Sequence, residues 1–282
     1  MISINLHQPG RLDLTIQFPS GWDELLPEEV MEISRQQIKE GNTQEAARAA
    51  ILKFIISLRT KLSKQKLPPQ WMNLIDAEQA VINGYPLLDF IYNENELTRV
   101  PEQKIMCFYG PADAFEELTC GEFEDTEIEF NKFYTEPDII PLAKLAAILW
   151  RPSSIPLCRS RRVSYITWQH KTATYKTYDA NKPAKHFLKI SPERLYAIFT
   201  WYVGCRSQLP KLFPTVHEGG EKKNEMDLHA FTKCIHAGAG PKNGSRQTIR
   251  LMKVFEFFFD MEEEAIKAKE QEKIYNEQSR QT

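Results

Sequence analysis

Residues 136–151, EPDIIPLAKLAAILWR, followed by Pro152, are the most apolar helix-like segment of the chain. Leu142, Leu145, Ala146 and Leu149 recur at i, i+3, i+4 and i+7, the stripe of a helix seated on a core. Ile148 and Trp150 widen that stripe beyond what a surface helix needs, so burial on most sides is expected. The charge of the chain reverses across this segment. Before it, Asp113, Glu116, Glu117, Glu122, Glu124, Asp125, Glu127, Glu129, Glu136 and Asp138 stand against Lys132 alone. After it, Arg151, Arg159, Arg161, Arg162, Lys171, Lys176, Lys182, Lys185 and Lys189 stand against Asp179 alone. A buried helix between two oppositely charged flanks is a scaffold, and no reaction follows from it.

Around that helix the local signals describe a mainly α protein with small β elements. In 11–19, Leu12, Leu14, Ile16 and Phe18 alternate with polar residues, the period of a half-buried strand. Ile2–His7 precedes it and Gln8-Pro9-Gly10 supplies a turn, so an N-terminal β-hairpin is predicted. Pro27 opens a helix to Lys39, and Thr43 caps a long one over 44–64. The stretch 76–92 reads as loosely structured, and Lys104–Tyr109 as one short strand ending at Gly110-Pro111. Thr119-Cys-Gly-Glu122 has capping-box spacing, and the helix it opens carries one aromatic and one carboxylate face. Helices are also predicted for 192–209, for 228–236 and from Arg246 onward, where Ile249, Met252, Phe255, Phe259 and Ile266 share a face. At 282 residues the chain is read as a single globular unit over 1–266, with 267–282 a charged helical or frayed tail.

Composition excludes little and suggests less. The net charge of −2 gives no global attraction to polyanions or membranes, so any such affinity must be local. The first residues lack the basic start and apolar run of a secretory signal, and no stretch reaches the roughly 18 apolar residues of a membrane helix. Five scattered cysteines without a CxxC pair are expected to be reduced thiols.

Each candidate chemistry has a plainer reading beside it. The loop Gly238–Ser245 (GAGPKNGS) resembles a phosphate cradle, but fits neither P-loop nor dinucleotide spacing, and reads as a helix end followed by a loop. His217, His229, Cys234 and His236 match no zinc pattern, so no metal is expected. The carboxylates of 113–138 read as one solvated helix face rather than acid–base pairs. Cys205 and Cys234 lie in partly apolar helical contexts where inert thiols are the rule. No catalytic, cofactor or metal residue is therefore assigned.

One stretch stands apart. Residues 158–190 contain two Tyr/Thr/Val/Ile-rich runs, RVSYITWQ and ATYKTYD, read as an inserted basic β-hairpin arm. Arg159, Arg161, Arg162, Lys171 and Lys176 interleave with Tyr165, Trp168 and Tyr178, a mixture able to neutralise phosphates and stack on bases. The same residues could face an acidic protein surface, including the 113–138 block of this chain or a neighbouring copy, and that version is preferred. These eight are the candidate partner-binding residues.

Phe108-Tyr-Gly-Pro111, Glu122-Phe123, the 142–152 run LAKLAAILWRP and the late glycine loop before a charged final helix resemble a group of uncharacterised proteins from bacterial tailed phages and prophages. In that group an aromatic-Arg-Pro ending follows a Leu-Ala-Ile-Leu helix, and Trp150 fills the aromatic place here. The likeness covers the middle third and the last helix. It implies a non-enzymatic, virion-related protein of tail structure or assembly, in the bacterial cytoplasm or on the virion, with other phage-type structural proteins or its own copies as partners. A nucleic-acid-binding role for the basic arm is the alternative.

Overall fold

A computed structural model describes residues 1–6, 14–63, 85–152, 179–218 and 228–280. In chain order the strands and helices are β1 (Ile2–Leu6), β2 (Leu14–Phe18), α1 (Pro27–Ile38), α2 (Gln44–Leu62), α3 (Asp89–Tyr92), β3 (Lys104–Ile105) and β4 (Phe108–Tyr109). There follow α4 (Cys120–Thr135), α5 (Ile139–Leu149), β5 (Arg151–Pro152), α6 (Asn181–Phe187), α7 (Pro192–Leu212) and α8 (Pro214–Glu218). The last three are α9 (Ala230–Gly238), α10 (Arg246–Leu251) and α11 (Val254–Arg280). The protein is mainly α, with small antiparallel sheets and the N-terminal hairpin that the alternation predicts.

Where the sequence suggests one globular unit, the structure groups into two. One comprises Met1–Pro101 with Ser191–Gly204; the other comprises Glu102–Ile190 with Cys205–Thr282. The boundary falls inside α7, which local periodicity reads as one uninterrupted helix.

In the first unit, β1 and β2 pair from Ile2 opposite Phe18 to Leu6 opposite Leu14. Ile16 and Phe18 point inward while Thr15 and Gln17 are exposed, as a period of two requires. They join Val30 and Ile33 of α1 and Ile51, Leu52 and Ile55 of α2 in the core. Thr43 caps α2 by accepting from the Ala46 amide at 3.2 Å. Glu29 is fully buried, accepts two bonds from Arg59 at 2.6 and 2.7 Å, and also holds the Leu26 amide at 2.7 Å. The middle of α7 is fixed by Trp201, whose indole donates to the Thr98 carbonyl at 2.8 Å, and by Asn95, which donates to the Thr200 carbonyl at 2.7 Å. Gly204 has no room for a side chain, since a Cβ there would lie 2.3 Å from the Leu97 oxygen.

In the second unit, α4 and α5 form an antiparallel pair, and Leu142, Leu145, Ala146, Leu149 and Trp150 are all essentially inaccessible. That burial agrees with the breadth of the α5 stripe. Lys104–Tyr109 is not one strand but a tight hairpin, with Met106 at a φ of 53° in its turn. β5 adds to it, pairing Phe108 with Pro152 and Tyr109 with Arg151. Residues 181–187, inside the segment read as a β-hairpin arm, are helical instead. Ala184 and Phe187 there give a helical apolar spacing, and Phe187 packs 5.0 Å from Phe108. The two runs assigned to the hairpin itself lie outside the described residues, apart from Asp179.

The predicted final helix is two helices. Ser245 caps α10, and the chain then extends at Met252-Lys253 before α11 begins. The break is set by tertiary pairing: the Cys120 amide donates to the Met252 carbonyl at 2.9 Å and the Val254 amide to the Leu118 carbonyl at 2.9 Å. Around it Phe123, Phe213, Phe231, Phe257 and Phe258 form an aromatic core, with Phe213 stacked on Phe258 at 5.5 Å.

Candidate functional site

The Phe-Tyr-Gly-Pro turn, Glu122 and the Trp-Arg-Pro ending meet at the C-terminal end of α5. The Trp150 indole donates to the Glu102 carbonyl at 2.9 Å and lies flat enough on Gly110 that a Cβ there would fall 2.6 Å from its nitrogen. Glycine is therefore required in the Phe-Tyr-Gly-Pro turn for steric reasons. Arg151 follows directly, fully buried, with its guanidinium 2.7 Å from a Glu122 carboxylate oxygen that is equally buried. The other Glu122 oxygen closes the capping box, accepting from the Thr119 amide and hydroxyl at 2.8 Å each. The Trp-Arg-Pro ending thus ties the end of α5 to the start of α4.

Glu122 is the first of a carboxylate row along α4. Glu124, Glu127 and Glu129 are also buried, so the reading of these groups as one solvated face is wrong. Each has a cation brought from elsewhere in the unit or from its own turn. Glu124 receives Arg246 at 3.0 Å and also pairs with Arg250, and Arg250 reaches Asp125 at 3.0 Å. Glu127 takes Arg206 at 2.9 Å, and the same guanidinium lies 5.0 Å above the Phe130 ring. Glu129 pairs with Lys132 at 2.7 Å. Charges withdrawn from water need such partners, and here the partners tie β5, α7 and α10 to one helix. Among the described residues of the basic stretch after α5, Arg151 pairs with this acidic block.

Burial also decides the thiols and the histidines. Cys120, wholly buried at the start of α4, has its thiol pushed up to about 12 by desolvation, so it is a neutral packing group. Cys205 is buried and Cys107 exposed. The His217 ring bonds the Phe213 carbonyl at 2.8 Å and stacks on Phe258 at 5.8 Å, a packing role. Among the described residues no group of three or more His, Cys, Asp or Glu could hold a metal ion. Gly240 and Gly244 close the Gly238–Ser245 loop by bonding each other's backbone at 3.0 and 2.8 Å. The loop's amide groups at these two positions are thereby used within the loop.

The eight candidate partner-binding residues, Arg159, Arg161, Arg162, Tyr165, Trp168, Lys171, Lys176 and Tyr178, lie outside the described residues. The described part of that stretch keeps Lys182, Lys185 and Lys189 exposed at i, i+3 and i+7.

Among the described residues of the second unit, α11 presents a long exposed surface. Its first turn buries Val254, Phe257 and Phe258, and its remaining length is mostly exposed through Ser279. Phe259, Ile266, Ile274 and Tyr275 are 63%, 43%, 55% and 70% exposed. One flank is fastened to α8, where Glu262 accepts from the Thr215 and Val216 amides at 2.9 Å. The sequence places Phe259 and Ile266 on the core-facing side of this helix, and the break at Met252-Lys253 explains why they face water instead. No helix among the described residues is long and apolar enough to cross a membrane.

No protein-family model matches the chain, and no curated protein or solved structure is significantly similar to it.

Proposed function

We propose that the chain is a non-enzymatic structural or assembly protein of tailed-phage or prophage type, acting through protein–protein contacts in the bacterial cytoplasm or on the virion. The observation that carries this reading is α11, a 27-residue helix anchored by its first turn and presenting large apolar side chains to water. Such side chains on a firmly held helix are what a partner protein covers. The α4 carboxylates support it as well, since each is committed to an internal tie. The exposed lysines at 182, 185 and 189 favour the second reading, nucleic-acid binding through the basic stretch they belong to.

One experiment separates the two. Tagged full-length chain is incubated with an extract containing phage tail-tube, tape-measure and portal proteins, and captured proteins are identified by mass spectrometry. Labelled single- and double-stranded DNA is titrated in parallel at about 150 mM salt. Capture of a structural protein, reduced on deleting 267–282, is the expected result. No capture, with micromolar DNA binding lost when Arg161 and Arg162 become Glu, overturns the assembly reading in favour of the second.

A further inference from the structure

The exposed side of α11 has a pattern that specifies the chemistry of its partner. At 100° per residue, Phe259, Glu263, Ile266, Glu270, Ile274 and Glu277 fall within about 80° of arc. Along the axis the stripe alternates apolar and carboxylate side chains over about 27 Å at about 1.5 Å per residue. All six are exposed. On one flank Glu262 and Lys269 are tied to α8, and on the other Glu264 is tied to Lys242 at 2.9 Å. The stripe lies between these fastened flanks, held in place and turned outward.

Resting on the protein-contact reading above, we infer that this stripe is the docking face for a basic amphipathic helix of a partner protein. Its apolar residues would seat against Phe259, Ile266 and Ile274, and its Lys or Arg side chains would reach Glu270 and Glu277 and take up Glu263, whose 3.3 Å pair with Lys267 of the same helix is exposed to water and weak. Charge excludes the two other obvious occupants. A second copy of α11 laid antiparallel with Phe259 opposite Ile274 sets Glu263 against Glu270, and a parallel copy sets each glutamate against itself. A nucleic acid meets the same carboxylates with its phosphates. A helix-on-helix contact of this length stays below the roughly 1,200 Å² of stable interfaces, so one helix alone is expected to bind weakly and reversibly.

The test uses the full chain and three fluorescent synthetic peptides. The first is a helix with leucines at heptad spacing and lysines beside them. The second has the same composition scrambled, and the third has glutamate in place of lysine. The basic amphipathic peptide is expected to bind, and the other two at least tenfold more weakly. Joint replacement Glu263→Lys, Glu270→Lys and Glu277→Lys, and separately Ile266→Asp with Ile274→Asp, should each weaken binding at least tenfold. Since every one of these side chains is exposed, helicity and melting temperature serve as the folding control. Equal binding of scrambled or acidic peptide, unchanged binding by either variant, or self-association abolished by the same substitutions overturns the inference. If the variants still capture structural proteins from the extract, the docking face falls while the assembly reading stands; if the unaltered chain captures none, the assembly reading itself falls.

Discussion

Replacing Arg151 with Met should destabilise the second unit by about 3–5 kcal/mol, the usual cost of leaving one member of a buried ion pair alone. Both partners are inaccessible and 2.7 Å apart, so water cannot replace the lost guanidinium. Glu122 retains its two 2.8 Å bonds from Thr119, which puts the expected loss toward the lower end of that range. Adding Glu122→Gln to Arg151→Met removes the stranded charge while keeping an acceptor for the cap, and should recover about 1–2 kcal/mol. Urea unfolding followed by circular dichroism, applied at equal protein concentrations to Arg151→Met, Glu122→Gln and the double variant, supplies the three free-energy differences of the cycle. An Arg151→Met variant within about 1 kcal/mol of the parent would mean that Glu122 is solvated or protonated in the folded state. The account of α4 as a buried, internally paired carboxylate row would then be wrong.

Four further outcomes follow from particular contacts. Leu145→Asp places a charge at a fully inaccessible position of α5 and should cost several kcal/mol, read as loss of folded protein in thermal unfolding. Ala114 sits at φ 51°, where an L side chain is strained by about 1–2 kcal/mol; Ala114→Gly relieves this against glycine's larger unfolded-state entropy, for a net gain of about 0.5 kcal/mol. Because the folded Cys120 thiol titrates near 12 against an ordinary 9.0, the folded state binds more protons between these values, and stability should fall as pH rises through that window. Deleting 267–282 should leave the melting temperature within a few degrees of the parent, since the described residues removed are all exposed.

The parts of this fold that could be read from the sequence are those with local causes. Pro27, Thr43 and the Thr119–Glu122 capping box mark helix starts where the structure has them, and the wide stripe of α5 reports its burial. The carboxylates of α4 were legible as a face but not as a buried one. Their cations, Arg206, Arg246 and Arg250, arrive from 79 to 125 residues away, and no periodicity within α4 encodes that. The division of the last helix at Met252-Lys253 escapes for the same reason, being imposed by Leu118 and Cys120. Helix 181–187 is masked by its surroundings, a short apolar pair inside a run of lysines. In the candidate site, the Trp-Arg-Pro ending could be singled out from sequence, whereas the outward turn of Phe259 and Ile266 could not.

The long reach of these ties bears on the order in which the chain can become structured during synthesis. Glu124 meets Arg246 across 122 residues, and the start of α4 meets Met252 and Val254 across a similar span. A ribosome that has released α4 and α5 but not α10 leaves an apolar helix pair beside Glu124 still without its cations, Arg246 and Arg250. That carboxylate then stays hydrated and holds this part of α4 away from its final seat, so the second unit closes only after residues 246–254 have emerged. A nascent chain stalled before Arg246 should accordingly remain protease-sensitive over 102–150, and become resistant once the stall is moved past Phe258.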